Sequence, residues 1–203
     1  MTEKLLKTAK ALEQHGFTAF VCETTEEAIE KSLSLLTEGC SITWGGSATI
    51  RDMGLTEAVK KGPYQVFDRD LVPPAERAAF SKEHYFSDWY FMSSNAVTED
   101  GTLLNLDGNG NRVASLIFGP ANVLVVAGAN KITPDVNEAY RRVREVASPK
   151  NAQRFDIQTP CKKTGKCADC LSPDTICCSM VHTRYVRTPG RVTVILVNEN
   201  LGY

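Results

Sequence analysis

Four cysteines near the C-terminal end of the chain have a spacing that could close on one metal centre. They follow a C-x5-C-x2-C-x6-C pattern within 17 residues: Cys161, Cys167, Cys170 and Cys177. In a cytoplasmic chain, where thiols stay reduced, such a cluster favours metal binding over disulfides. An iron–sulfur cluster, held by four thiolates with one tight C-x2-C pair, is favoured over zinc, which usually takes two such pairs.

Other interpretations of this segment stay open. Cys178 is adjacent to Cys177 and could serve as the fourth ligand in its place. Cys167 and Cys170 could instead form a redox dithiol, or the cysteines could simply be buried. Cys22 and Cys40 lie in predicted strands and are expected in the core.

A second kind of chemistry is indicated by loops rich in glycine and asparagine. Gly45, Gly46 and Ser47 follow a predicted strand, where exposed N–H groups at the start of the next helix favour an anion. The alternative is a plain glycine turn in which Ser47 caps the helix.

Two further loops add amide groups and positive charge. The side chains concerned are Asn95, Asn109, Asn111, Arg112, Asn130 and Lys131. Part of this stretch is a predicted hairpin, but a hairpin does not require these amides and cations together. Such a set suits a carboxylate or a phosphate, so we expect a small anionic metabolite as ligand.

Strands and helices that alternate along the chain must position these residues. The patterns predict helices over 3–15, 26–36, 74–88 and 135–147, and strands over 17–22, 40–44, 64–68, 89–93, 123–127 and 191–197. This alternation is typical of an α/β fold with a mainly parallel sheet flanked by helices. In such sheets ligands bind beyond the carboxyl ends of the strands, which is where the three polar loops fall.

Length and composition limit the remaining possibilities. The 203 residues predict a single domain over 1–203, with residues 149–190 as a cysteine-rich, metal-binding excursion within it. The net charge of -1 and the lack of a basic stretch argue against a nucleic-acid partner. No apolar run approaches the about 20 residues needed to cross a bilayer, so we expect a cytoplasmic protein without a membrane partner. Arg141, Arg142 and Arg144 are interpreted as a solvated helix face.

Three long motifs resemble the lactate-utilisation (LUD) domain family. They are WGGSATIRDMGL, NAVTEDGTLLNLDGNGNRVASLIFGP and VLVVAGANKITPDVNEAYRRVR, and the resemblance covers roughly residues 1–147 and the final strand. It implies a fold like that of sugar-phosphate isomerases and CoA transferases (NagB/RpiA/CoA-transferase-like). It also implies that Glu99 or Asp100 matches a catalytic carboxylate, acting as base or nucleophile. The cysteine segment is additional to the minimal domain and places the chain in a short, cysteine-containing branch.

The resemblance implies a role in lactate or related small organic-acid metabolism, with a carboxylate, phosphate or CoA derivative as ligand. Redox or lactate-utilisation proteins are the expected partners, and assembly into a homo-oligomer stays open. The alternatives are a non-catalytic iron–sulfur component for electron transfer or assembly, and a ligand-sensing regulator. Whether the chain is an enzyme is left open at this point.

Overall fold

The computed structural model describes residues 2–203 and has an α/β architecture with two sheets. Its strands are β1 Thr18–Cys22, β2 Ser41–Trp44, β3 Gln65–Phe67, β4 Trp89–Met92, β5 Ala96–Thr98, β6 Leu103–Asp107, β7 Asn122–Gly128, β8 Ile132–Thr133, β9 Ser179–Thr183 and β10 Val192–Val197. Its helices are α1 Glu3–Gln14, α2 Thr25–Ser34, α3 Ala48–Asp52, α4 Leu55–Lys60, α5 Arg77–Glu83, α6 Asn111–Phe118, α7 Val136–Arg142, α8 Ser148–Ala152 and α9 Pro160–Thr164.

The larger sheet has six strands in the order β1-β10-β7-β4-β2-β3. Every neighbouring pair in it is parallel, so the carboxyl ends of all six strands lie along one edge. The predicted α/β class with a mainly parallel sheet is confirmed.

Central strand β7 shows why this sheet must be covered on both faces. Val123 and Val125 belong to one apolar cluster, which includes residues of α1. Leu124 and Val126 belong to a second cluster, on which α2, α3 and α4 pack. Because side chains alternate across a strand, a strand buried on both faces is apolar at every position, as the run 123–127 is.

The smaller sheet has four strands in the order β8-β5-β6-β9. Strands β5 and β6 form the antiparallel hairpin that the Asp100-Gly101 turn predicts. Strand β9 comes from the cysteine-containing region 149–190 and pairs with β6 antiparallel over five residues. The region therefore extends this sheet at its edge, which the sequence patterns did not predict.

Several predicted boundaries differ from the observed ones. The helix predicted over 74–88 is confined to Arg77–Glu83. The helix predicted over 135–147 runs through α7, continues as a π-helical segment at Val143–Ala147 and ends only with α8. Pro149 lies two residues after the π-helical segment, and the helix continues through it to Ala152.

Within residues 2–203, no helix combines the length and the apolar character needed to cross a membrane.

Candidate functional site

A cavity of about 320 Å³ opens at the carboxyl ends of β2, β4 and β7, and we refer to it as the strand-end cavity. This volume lies in the range of pockets that hold small ligands. Seven of the residues predicted to bind an anion line it: Gly46, Ser47, Asn95, Asn109, Asn111, Arg112 and Lys131. The parallel sheet brings together three loops that are far apart in sequence.

Lys131 is the most buried charged group of this cavity, with 3% of the residue exposed. It follows β7, and its Nζ donates to Thr49 Oγ1 at 2.8 Å and to Ser93 Oγ at 2.9 Å. Thr49 comes from α3 and Ser93 from the end of β4, so the amine joins three neighbouring strand ends. It forms no ion pair with any carboxylate in the described chain.

The surroundings of Lys131 disfavour its charged form. Burial, followed by the nearby positive charges of Arg142 and Arg112, lowers the pKa of Lys131 to about 7. At neutral pH a substantial fraction of this amine is therefore uncharged, and an anion bound beside it would restore the ammonium form.

Arg112 was predicted to bind an anion, but in the structure its guanidinium donates to acceptors of the protein itself. Its Nη1 donates to the Ser93 carbonyl at 3.1 Å and to Asn105 Oδ1. Its Nη2 donates to Asn95 Oδ1 and to the Leu106 carbonyl, both at 2.9 Å. Since four hydrogen bonds occupy its terminal nitrogens, Arg112 chiefly fixes the loops that form the cavity wall.

Three further arginines line the cavity, and the sequence patterns did not single them out: Arg69, Arg77 and Arg154. The Nε of Arg69 is buried and has no hydrogen-bond partner in the structure. A Cβ built at Gly46 would lie 2.8 Å from Arg69 Nη1, so glycine at this position leaves room for the guanidinium.

The acidic residues of the wall are Asp70, beside Arg69, and Asp107, whose Oδ2 accepts from the first turn of α6. The wall is therefore cationic overall.

Gly45 and Asn130 are placed beside the cavity rather than in its lining. A Cβ at Gly45 would lie 2.5 Å from the hydroxyl of Tyr90, whose pKa burial raises to about 12. Asn130 Oδ1 accepts from Leu201 N at 3.1 Å, and Asn130 Nδ2 donates to the Gly202 carbonyl at 3.4 Å. Asn130 thus holds the C-terminal segment that carries Tyr203 into the cavity wall.

Glu99 and Asp100 lie at the turn of the β5–β6 hairpin and do not line the cavity. Glu99 forms ion pairs with Lys4 at 3.2 Å and with Lys7 at 3.8 Å, both on α1. Asp100 accepts a hydrogen bond from the Thr98 hydroxyl. The catalytic role implied for these carboxylates stays a prediction, and the contacts of Glu99 are with α1 rather than with the other predicted site residues.

The four cysteines predicted as metal ligands all border a second, smaller cavity of about 100 Å³, the cysteine cavity. Cys161 comes from α9, Cys167 and Cys170 from the loop after it, and Cys177 from the segment before β9. Asp169, between Cys167 and Cys170, adopts a left-handed conformation with φ 48°, which turns the loop sharply. Burial raises the pKa of the Cys177 thiol.

The helical arginines predicted to form a solvated face are in part buried, and that interpretation is wrong for two of them. Arg144, in the π-helical segment, donates from Nε and Nη2 to Cys167 Sγ at 3.4 Å and also to Asp169. Arg142 donates to the carbonyl groups of Asn130 and Asn95. The 3.6-residue periodicity placed these arginines on one side of α7 but could not show what packs there.

The two adjacent cysteines, Cys177 and Cys178, lie in different surroundings. Cys177 lines the cysteine cavity, whereas Cys178 is exposed and its Sγ donates to the Thr175 carbonyl at 3.7 Å. In the described part of the chain, no three His, Cys, Asp or Glu side chains are arranged to hold a single metal ion. The four thiols surround a common space without converging on one point.

The two cavities are neighbours. Thr175 and Ile176 line both of them, so this segment forms a shared wall. A Cβ at Gly108 would lie 3.2 Å from Ile176 Cα, which shows how closely the loop after β6 packs against that wall. The backbone N–H of Cys178 donates to the Asp107 carbonyl at 3.1 Å and fixes the wall to the end of β6.

Comparisons with known proteins agree with this architecture. The chain is similar over 96% of its length to a DUF162 family protein from Deinococcus radiodurans, with a TM-score of 0.57, 15% identity and 96% of that chain covered. A second structure, eIF2B delta from Chaetomium thermophilum, matches with a TM-score of 0.38 and 15% identity, over 58% of this chain and 50% of that chain. A third, ribose 5-phosphate isomerase from Plasmodium falciparum, matches with a TM-score of 0.35 and 8% identity, over 82% of this chain and 80% of that chain. No curated protein sequence matches. The LUD domain model matches residues 5–197, so the chain belongs to the LUD domain family, whose name refers to lactate utilisation.

Proposed function

We propose that the strand-end cavity binds a small organic anion, a carboxylate or the phosphate or acyl end of a larger metabolite such as a CoA derivative. The observation that carries this proposal is Lys131, a buried cation that has hydroxyl partners but no carboxylate partner. A buried charge is costly unless it is paired, and an anionic ligand would supply the missing counter-charge.

The other cations of the wall support the same ligand class. Arg69, Arg77 and Arg154 contribute guanidinium groups, which bind carboxylates and phosphates through two parallel hydrogen bonds. The amides of Asn95, Asn109 and Asn111 add neutral polar groups at the same opening. A lactate-sized molecule fits both the volume and the charge of this cavity.

Titration calorimetry with lactate, pyruvate, inorganic phosphate and CoA tests this proposal. We expect at least one of these anions to bind, and Lys131→Met to weaken that binding about 100-fold, as removal of one partner of a buried charge pair does. The control is Lys10→Met, which removes an exposed lysine of α1. Binding that is equal in Lys131→Met and the wild-type protein would refute the proposal.

A second function is favoured by the cysteine cavity, which we propose holds an iron–sulfur cluster. Its donor set of four thiols suits iron–sulfur clusters and zinc alike. All four thiols border one cavity, and the run contains a single C-x2-C pair, which favours a cluster over zinc because zinc usually takes two such pairs. Arg144 would offset the negative charge of the thiolates through its contact with Cys167. Such a cluster would supply electron transfer, with a redox protein as partner.

Anaerobic purification followed by visible spectroscopy and elemental analysis decides between the two metals. We expect a brown protein that contains iron and acid-labile sulfide. A colourless protein with one tightly held zinc ion per chain would instead indicate a structural clip for the region 149–190.

A further inference from the structure

We propose that Lys131 forms a Schiff base with a 2-oxo acid bound in the strand-end cavity. This inference deepens the proposed anion site and rests on it, because it adds a carbonyl group to the requirements for the ligand. The residues concerned are Lys131, its two hydroxyl partners and the arginines of the cavity wall.

The placement of the Lys131 amine fits a nucleophile. Nζ lies at the cavity lining, and Thr49 and Ser93, which accept its hydrogen bonds, line the same cavity. Two hydroxyl groups fix the direction of the amine without neutralising it, which an ion pair with a carboxylate would do. The lysine therefore has a defined orientation and a position open to the ligand.

The charges around Lys131 keep a fraction of the amine unprotonated at neutral pH. Arg142 and Arg112 are the nearby cations that disfavour the ammonium form, and burial acts in the same direction. A lysine that is desolvated and close to other cations is a common way to obtain an amine nucleophile for carbonyl substrates. An amine used only for ion pairing would gain nothing from this arrangement.

The rest of the cavity selects the substrate class. Arg69, whose buried Nε has no partner, and Arg154 provide sites for a carboxylate in the same small space. A small molecule that offers a carboxylate to a guanidinium and a carbonyl carbon to an amine within one cavity is a 2-oxo acid or a closely related oxo acid.

The covalent step is balanced without an external oxidant or reductant. The Lys131 nitrogen attacks the carbonyl carbon, a C–N bond forms, and a proton moves from nitrogen to the former carbonyl oxygen. The C–O bond then breaks, water leaves, and the C=N bond of the imine remains. The hydroxyl groups of Ser93 and Thr49 lie at hydrogen-bond distance from this nitrogen and can pass the protons.

Reductive trapping tests the proposal with pyruvate as the probe. The full-length protein is incubated with pyruvate and sodium cyanoborohydride, and digested peptides are examined by mass spectrometry. We expect one reduced pyruvate adduct, located on Lys131 and present in Lys10→Met but not in Lys131→Met. Lactate has the carboxylate without the carbonyl, so it should slow trapping by competition and leave no adduct itself.

The outcomes separate this inference from the anion site on which it rests. If calorimetry shows that pyruvate binds and trapping leaves Lys131 unmodified, the Schiff base is refuted and the anion site stands. Adducts spread over exposed lysines, with Lys131 modified no faster than they are, also refute it. If none of the four anions binds and no adduct forms, both proposals fail. Because the peptide map is made on the wild-type protein, the test does not depend on the folding of any variant.

Discussion

The strand-end cavity draws its walls from loops scattered between residues 46 and 203, whereas the four cysteines of the neighbouring cavity come from one run of 17 residues. The first cavity is fixed in place by a parallel sheet that is buried on both faces. The second is formed by short helices and loops, and Cys167, Cys170 and Cys177 remain partly exposed. One cavity is therefore built on the sheet, while the other is lined by short helices and loops at the edge of the fold.

This difference has a thermodynamic consequence. The sheet stabilises the strand-end cavity whether or not an anion is bound, since Lys131 and Arg112 already have their hydrogen bonds. If the cysteine cavity holds the proposed cluster, the free energy of metal binding also stabilises the local fold, as in small metal-dependent domains. Four experiments test this contrast.

The largest effect is expected from Cys177→Ser, with Cys178→Ser as a matched control. Loss of one of four thiolates should abolish metal binding, since structural metal sites contribute on the order of 10 kcal/mol. Cys178 is exposed and does not line the cavity, so its variant should retain the metal. The measurement is metal content per chain after anaerobic purification. Full metal content in Cys177→Ser, or its loss in Cys178→Ser, would show that the ligand assignment is wrong.

The next effect concerns one arginine from each cavity wall: Arg112 in the strand-end cavity and Arg144 in the cysteine cavity. Arg112→Met should lower the free energy of unfolding by about 3 kcal/mol, because it leaves the buried Asn105 Oδ1 without its donor and removes the hydrogen bonds to Asn95 and to the Ser93 carbonyl. Arg144→Met should lower it by less than about 1 kcal/mol, because its side chain is only partly buried and its partner Asp169 is largely exposed, so that solvent weakens the ion pair. Urea denaturation monitored by circular dichroism measures both. Equal losses would show that the two cavities are equally integrated into the fold.

The third effect is a pH dependence that has opposite signs for two ligands. Since the pKa of Lys131 is about 7, the amine is mostly charged at pH 6 and mostly neutral at pH 8. The affinity for lactate, which needs the ammonium, should fall about tenfold over this interval. The rate of pyruvate trapping, which needs the neutral amine, should rise over it. Lys131→Met should remove the change in lactate affinity, and parallel changes for the two ligands would contradict the assigned roles.

The smallest effect tests whether the two cavities are independent. Thr175 and Ile176 form their shared wall, so removal of metal by a chelator should loosen that wall. We expect anion affinity to weaken a few-fold, about 1 kcal/mol, while the sheet stays folded. Calorimetry before and after chelation measures the change, and Cys178→Ser serves as a metal-retaining control. A loss of 100-fold or more would mean that the strand-end cavity is not preorganised.

The fold class was predictable because its signals are local. The alternation of apolar strands with amphipathic helices indicates a parallel sheet, and the apolar run 123–127 already shows that β7 is buried on both faces. The hairpin follows from the Asp100-Gly101 turn. The pairing of β9 with β6 was not predictable, since 71 or more residues separate the two strands and nothing in either one specifies the other.

The candidate site was predictable in part. Loops that follow parallel strands meet at one edge, so Gly46, Asn95 and Lys131 could be assigned to a common site from the order of elements alone. Arg77 and Arg154 could not, because neither follows a strand. Arg69 lies two residues after the end of β3, so its position offered a signal that the sequence analysis did not use. Glu99 and Asp100 belong to a motif that the sequence contains, but neither lines the strand-end cavity: Glu99 pairs with lysines of α1, and Asp100 accepts from Thr98 within the same turn.

By itself the sequence determined that four closely spaced cysteines would lie near one another and that the strand-end loops would be polar, since spacing and residue type are enough to define both. Only the tertiary structure decided that Lys131 would have Thr49 and Ser93 as partners, 82 and 38 residues away, and no carboxylate. The physical reason is that charge and reactivity depend on burial and on neighbours. A lysine is an ordinary cation until the packed strand ends around it remove water and place arginines nearby.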